Sequence, residues 1–138
     1  MKFDQKMMRL GLYTLVGLGL MQVFAQKTGL YWIWPDFDIP MHYWGGLWLG
    51  FVATWFVVRF KIINNLYSAG YLLMIGLVVL LVGAGWELFE YLVDGWLNTS
   101  MQPSKIDTYL DLIMDMLGGY TVGLWVLLNN RNKGLKYE

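Results

Sequence analysis

The sequence contains no cysteine and only one histidine, and charged residues make up only 14% of it. The absence of cysteine excludes disulfide bonds, thiolate metal sites and covalently attached haem. Lys plus Arg balances Asp plus Glu at ten each, so the net charge is zero and a nucleic-acid partner is not expected. Typical soluble domains carry about 25% charged residues. This chain therefore has too little charge to cover the surface of a soluble fold.

Hydrophobic residues fill 57% of the 138 positions, and a lipid bilayer is the partner that would cover them. About 20 residues of helix cross roughly 30 Å of hydrocarbon. Four stretches are long enough, at about 9–26, 41–60, 69–93 and 108–128. We therefore predict an all-α membrane protein, a four-transmembrane-helix bundle that forms a single domain over residues 1–138.

The first stretch also resembles a secretory leader, because basic residues precede it and residues 23–25 resemble a cleavage site. Asp4 is unusual in such a leader. We interpret the stretch as a retained helix.

The distribution of Lys and Arg predicts the orientation, because these residues favour the cytoplasmic side. Eight of the ten fall on one side of the four predicted spans, and only Lys27 and Lys105 fall on the other. The eight are Lys2, Lys6, Arg9, Arg59, Lys61, Arg131, Lys133 and Lys136. We expect a multi-pass protein of the cell (inner) membrane with both termini in the cytoplasm.

The acids are distributed in the opposite way, since eight of the ten map to the outer ends of helices two, three and four. Asp107, Asp111 and Asp115 are spaced by four residues, which places them on one face of a helix. Asp36, Asp94 and Asp107 are expected to be loop or helix-start residues with a smaller chance of a direct role.

Two further pairs have helical spacing. Glu87 and Glu90 are three residues apart near the end of helix three, and Asp38 and His42 are four apart at the start of helix two. Because of Pro40, the sequence does not define the residue at which that helix begins. Together with helix four, these pairs predict one cluster at the outer end of the bundle, with His42 at its rim.

An acid at the centre of a membrane helix costs about 2.5–3.5 kcal/mol on insertion scales. The outer halves of helices two to four contain no Lys or Arg that could offset this cost. The carboxyl groups must therefore share protons or coordinate a cation. Carboxylates with one imidazole suit Mg²⁺, Mn²⁺, Ca²⁺ or Zn²⁺ better than copper. The predicted metal ligands are Asp38, His42, Glu87, Glu90, Asp111 and Asp115.

At these positions the chain resembles small bacterial membrane proteins of the VanZ-like and YjdF-like type. The resemblance lies in Asp-x-x-x-His-x-x-Gly at 38–45, Glu-x-x-Glu at 87–90, and Asp-Thr-x-x-Asp at 107–111, which is followed by Gly118-Gly119. It covers helices two to four and not helix one. VanZ-like members are associated with glycopeptide resistance, so the resemblance implies a role in the cell envelope.

Three functions remain open from the sequence. The leading one is an outward-facing divalent metal site, either structural or catalytic; a catalytic site would act on envelope lipids or headgroups with His42 or Glu90 as general base. The second is a non-catalytic subunit or stabiliser within a homo-oligomer or larger membrane complex. The third is a cation or proton transporter, although residues 120–128 offer only Thr121 as a polar group for a path.

The predicted orientation can be tested by labelling, because the chain has no cysteine of its own. Tags at Met1 and Glu138 should be accessible only from the cytoplasm. A cysteine introduced at Thr99 should react with an impermeant maleimide from outside intact cells. Reaction of this cysteine only after the membrane is broken would contradict the predicted orientation.

Overall fold

The computed structural model describes residues 2–63, 66, 68–97 and 105–131, and this part of the chain is helical without strands. Its elements are α1 (Phe3–Thr28), the short α2 (Leu30–Ile33), a 3₁₀ turn (Pro35–Phe37), α3 (Asp38–Arg59), α4 (Ala69–Leu97) and α5 (Lys105–Arg131). The predicted connections at 61–68 and 94–107 lie partly outside the described residues. Each long helix extends beyond its predicted start, its predicted end or both.

In the described part of the chain, three helices are long and apolar enough to cross a membrane: Phe3–Thr28, Ala69–Leu97 and Lys105–Asn129. A helix suits this environment because all of its backbone hydrogen bonds are internal. α3 has 22 residues but also His42, Thr54 and three tryptophans, and it is not among these three. The structure thus supports an all-α membrane protein with three candidate spans, and a span through α3 stays a prediction.

Local sequence explains where α1 ends and α3 begins. Gly29 has a left-handed backbone (φ 67°) and caps α1 with its N–H, as glycine commonly does after a helix. α3 begins at Asp38, three residues earlier than predicted, and includes Pro40 in its first turn. Proline is tolerated there because the first N–H groups of a helix have no acceptor within it. Asp38 and His42 therefore lie on one continuous helix.

The helices pack in the order α1, α3, α5, α4, with a smaller contact between α3 and α4. α1 runs antiparallel to α3, since Gly11 faces Phe51 and Gly17 faces Trp44. α3 and α5 run parallel. α4, which lies between them in the sequence, runs in the opposite direction. The starts of α3 and α5 and the end of α4 consequently meet at one end of the bundle.

The contact between α3 and α5 is made by glycine. A Cβ atom on Gly46 would overlap the backbone carbonyl of Asp115, and one on Gly118 would overlap the carbonyl of Tyr43. Small residues permit such backbone approach in membrane helices, where dispersion contacts replace the hydrophobic effect as the packing force. This contact fixes the axial register of the two helices.

Away from the acids, the interface is apolar with a few interhelical hydrogen bonds. Val57, Ile75, Val79, Val122 and Val126 are almost fully buried between α3, α4 and α5. The buried Thr54 hydroxyl donates to the carbonyl of Gly50 (2.7 Å), so the Tyr71 hydroxyl, at 2.7 Å, is the donor to Thr54. Interhelical hydrogen bonds of this kind contribute about 0.6–2 kcal/mol in a membrane.

The two ends of the bundle carry opposite charge. The acidic end consists of the starts of α3 and α5 and the last third of α4. The basic end, where α1 begins and α3 ends, carries Lys2, Arg9 and Arg59. Lys133 and Lys136, which contributed to the predicted orientation, lie outside the described residues.

Replacing Gly46 by alanine should test the α3–α5 contact. The added methyl group overlaps backbone rather than a movable side chain, so we expect a loss of about 1–3 kcal/mol in stability. Thermal melting in detergent measures it. Gly85→Ala is the matched control, because open space surrounds Gly85 and alanine favours a helix. Equal melting temperatures for the two variants would contradict the close approach.

Candidate metal site

His42 lies at the centre of the acidic cluster. It is 8% exposed, and its ring nitrogens face carboxylates of both its own helix and α5. Nε2 lies 3.6 Å from Oδ2 of Asp38 and 3.9 Å from Oδ1 of Asp111, while Nδ1 lies 3.4 Å from Oδ1 of Asp115. The prediction that His42 lies at the rim is wrong, because the parallel packing of α3 on α5 covers its ring.

The acids of α5 turn inwards, as their four-residue spacing predicts. Asp111 is 1% exposed and Asp115 is 5% exposed. Asp107, one turn earlier, lies in the first turn of α5 and is half-buried. Asp111 and Asp115 are therefore more buried than Asp107 at the start of the helix.

α4 supplies Glu87 and Glu90, which are 4% and 6% exposed. Trp86 donates a hydrogen bond from its indole Nε1 to Oε1 of Glu90 at 2.9 Å. This partner was not identified from the sequence, although its four-residue spacing from Glu90 was a usable signal. Asp94, predicted to begin a loop, lies in α4, which continues to Leu97.

A glycine on α4 makes room for the cluster. A Cβ atom on Gly83 would lie 2.6 Å from Oδ2 of Asp115, closer than real side chains approach. Gly83 therefore allows the carboxylate of Asp115 to lie against the α4 backbone. Gly45 of α3 faces the other oxygen of the same carboxylate.

Five of the six predicted ligands come together in two overlapping groups. Asp38, His42 and Asp111 each offer a ligand atom within 4.8 Å of the others, and His42, Glu87 and Glu90 do the same. His42 belongs to both groups, so it connects α3 to α4 and to α5. Asp115 joins through its contact with His42. Asp38, 29% exposed, is the most accessible member.

Within the described part of the chain, Asp111 has a carboxylate oxygen without a hydrogen-bond partner. Oδ1 of Asp111 is buried and accepts no hydrogen bond from the described residues. Leaving a buried polar atom unpaired costs about 1–3 kcal/mol, and more when the group is charged. The three N···O separations around His42 also exceed the usual 2.7–3.2 Å of an N–H···O hydrogen bond. Asp111 is thus packed beside His42 without a hydrogen bond to its Oδ1 from the described residues.

Tyr31 lies near this end of the bundle, outside the three candidate spans, and its hydroxyl donates to Oε1 of Gln22. Burial, and then the negative charge of Asp38, raises the pKa of the Tyr31 phenol. Tyr31 therefore stays a protonated donor beside the acids.

Comparison with known sequences places the chain in a family. The sequence profile of a family described as "Predicted membrane protein (DUF2238)" matches residues 7–132, which include all six residues of the cluster. The chain belongs to the DUF2238 family. No curated protein and no solved structure matches it. Membership of DUF2238 agrees with the membrane helices and assigns no activity to the acidic end.

Proposed function

We propose that this DUF2238 protein binds a divalent cation at the acidic end of its bundle. The ligands are drawn from Asp38, His42, Glu87, Glu90, Asp111 and Asp115. The observation that carries the proposal is Oδ1 of Asp111, which is buried, lies 3.9 Å from Nε2 of His42 and accepts no hydrogen bond from the described residues. A cation beside this oxygen would supply the interaction that the protein does not.

The spacing of the donors supports a single ion. Donor atoms bound to one Mg²⁺, Zn²⁺ or Ca²⁺ lie about 2.0–2.6 Å from it, so any two of them are at most about 5 Å apart. Within each of the two groups that share His42, the donor atoms lie within 4.8 Å of one another, so either group could hold one ion. Several carboxylates with one imidazole suit Mg²⁺, Mn²⁺, Ca²⁺ or Zn²⁺. Binding would need the imidazole nitrogen that faces the ion to be unprotonated.

The proposal includes four spans with both termini in the cytoplasm. α3 would be the fourth span: its 22 residues extend over about 33 Å, enough for the hydrocarbon core. α3 also packs between α1 and α5, two of the three candidate spans. The acidic end would then face outwards in the inner membrane.

A structural role follows directly from the position of the site. The ligands come from three helices, so the ion would connect α3, α4 and α5 where carboxylates repel one another. A non-catalytic subunit or stabiliser would require only this connection between the helices. Transport has less support, because beyond the cluster the interface is filled by apolar side chains such as Val79, Val122 and Val126.

A catalytic role is the second candidate, and the partial exposure of Asp38 favours it because the cluster can be reached from the acidic end. The ion would supply a Lewis acid, and His42 or Glu90 would accept a proton. The VanZ-like and YjdF-like pattern at 38–45, 87–90 and 107–111 supports a place in the cell envelope. Envelope lipids and their headgroups are the substrates that can reach this depth.

Metal binding predicts a change in thermal stability. Chelation should lower the melting temperature of the purified protein, and Mg²⁺, Mn²⁺, Ca²⁺ or Zn²⁺ should raise it with concentration. An ion that binds only the folded form stabilises it by about 2.7 kcal/mol at a hundredfold excess over its Kd. The Asp111→Asn, Asp115→Asn double variant should lose this response and melt close to the chelated wild type, because its charge repulsion is already relieved.

The Asp4→Asn, Asp36→Asn double variant is the control, because it removes two carboxylates outside the cluster and should keep the wild-type response. Metal analysis of protein purified without chelator identifies the ion. If the wild type melts identically with chelator and with each of the four metals, the cluster is a protonated network and the metal proposal is wrong.

Trp86→Phe tests whether Glu90 takes part. The variant removes the hydrogen bond that orients the carboxylate, and losing such a partner weakens metal binding about 10- to 100-fold. The melting temperature, measured as a function of metal concentration, gives the apparent affinity. Trp96→Phe on the same helix is the control, because Trp96 is 88% exposed. Equal affinities in the two variants would exclude Trp86 as the residue that positions Glu90.

A further inference from the structure

A second site lies at the basic end, opposite the acidic cluster. A cavity of about 540 Å³ opens between the first turns of α1 and the end of α3. Its lining includes Lys2, Asp4 and Arg9 from the start of the chain, and Trp55 and Arg59 from α3. Two arginines that are 50 residues apart in sequence are thus brought to one cavity by the antiparallel packing of α1 on α3.

The cavity has an excess of positive charge. Lys2, Arg9 and Arg59 outnumber the one carboxylate in the lining, that of Asp4. Among the described residues, no ion pair joins Arg9 or Arg59 to a carboxylate. The guanidinium groups keep their donors for a ligand, and a guanidinium pairs with phosphate through two parallel hydrogen bonds.

The walls of the cavity match a lipid better than a free anion. Met8, which is 51% exposed, and the half-buried Trp55 line it beside the charged groups. Phe56, next to Trp55, is 48% exposed on the outside of the bundle. A polar cavity bordered by apolar side chains fits a phosphate that is attached to acyl chains. Its volume is within the roughly 300–1,000 Å³ of small-molecule sites.

We propose that this cavity, lined by Lys2, Arg9, Trp55 and Arg59, binds the phosphate of an anionic phospholipid headgroup. Basic pockets between membrane helices are known to hold such headgroups on the cytoplasmic side. The site is separate from the metal site and does not depend on it.

General attraction of basic residues to an anionic membrane is the alternative, and the chain offers a control for it. Lys6 is also at the basic end but lies over the ring of Trp125, 5.1 Å from its centroid, and does not line the cavity. Lys61, two residues after Arg59, does not line it either. Lys6→Gln, Lys61→Gln therefore removes the same charge from the same end as Arg9→Gln, Arg59→Gln.

The test measures lipid binding to delipidated full-length protein in detergent by native mass spectrometry. Wild type should bind phosphatidylglycerol in preference to phosphatidylcholine. Arg9→Gln, Arg59→Gln should weaken phosphatidylglycerol binding about tenfold, because it removes charge-assisted hydrogen bonds to phosphate. Lys6→Gln, Lys61→Gln should bind like wild type. All four side chains are exposed, so both variants should fold, and their melting temperatures test this.

Three results would overturn the proposal. Equal losses of phosphatidylglycerol binding in the two double variants would indicate general electrostatic attraction, and no loss in either would show that the two arginines do not hold the lipid. Displacement of phosphatidylglycerol by inorganic phosphate at equal concentration would show that the acyl chains contribute nothing and that a free anion is the ligand.

Discussion

The direct contact between the backbones of α3 and α5 determines where the charged groups of this protein lie. Gly46 lies against Asp115 and Gly118 lies against Tyr43, so the two helices cannot slide past each other without a clash. His42 is one turn before Gly46, and Asp115 is three residues before Gly118. The register therefore places the imidazole ring 3.4 Å from the carboxylate. Two small residues thus position a histidine that connects three helices.

The buried cluster destabilises the helix packing that brings its members together. Each buried carboxylate loses its hydration, and in a bilayer the helices associate through close packing and a limited number of hydrogen bonds. Five of the six members are buried, and the separations around His42 are too long for ordinary hydrogen bonds. A divalent ion would attract each carboxylate and so offset the repulsion between them. This is why the proposed site follows from the energetics of the fold as well as from the residue types.

The two ends of the bundle differ in how they are built. At the acidic end His42 and four of the carboxylates are buried between α3, α4 and α5. At the basic end Arg9 and Arg59 are exposed beside a cavity between α1 and α3. The first arrangement suits a small ion held by several helices, and the second suits a headgroup that arrives from the membrane. α3 contributes to both, so it connects the two proposed sites.

The sequence alone determined the helical class, the approximate extents of the long helices and the segregation of charge, because apolar length and helical spacing are local properties. It also identified Asp111 with Asp115, and Glu87 with Glu90, as pairs on shared helix faces. Pro40 left the start of α3 open, and only the structure showed a proline accommodated in the first turn. The central position of His42, the bond from Trp86 and the cavity at Arg9 and Arg59 depend on which helices are neighbours and in which direction they run. Only the tertiary structure decided these, since contacts between residues far apart in sequence have no period that a single sequence reveals.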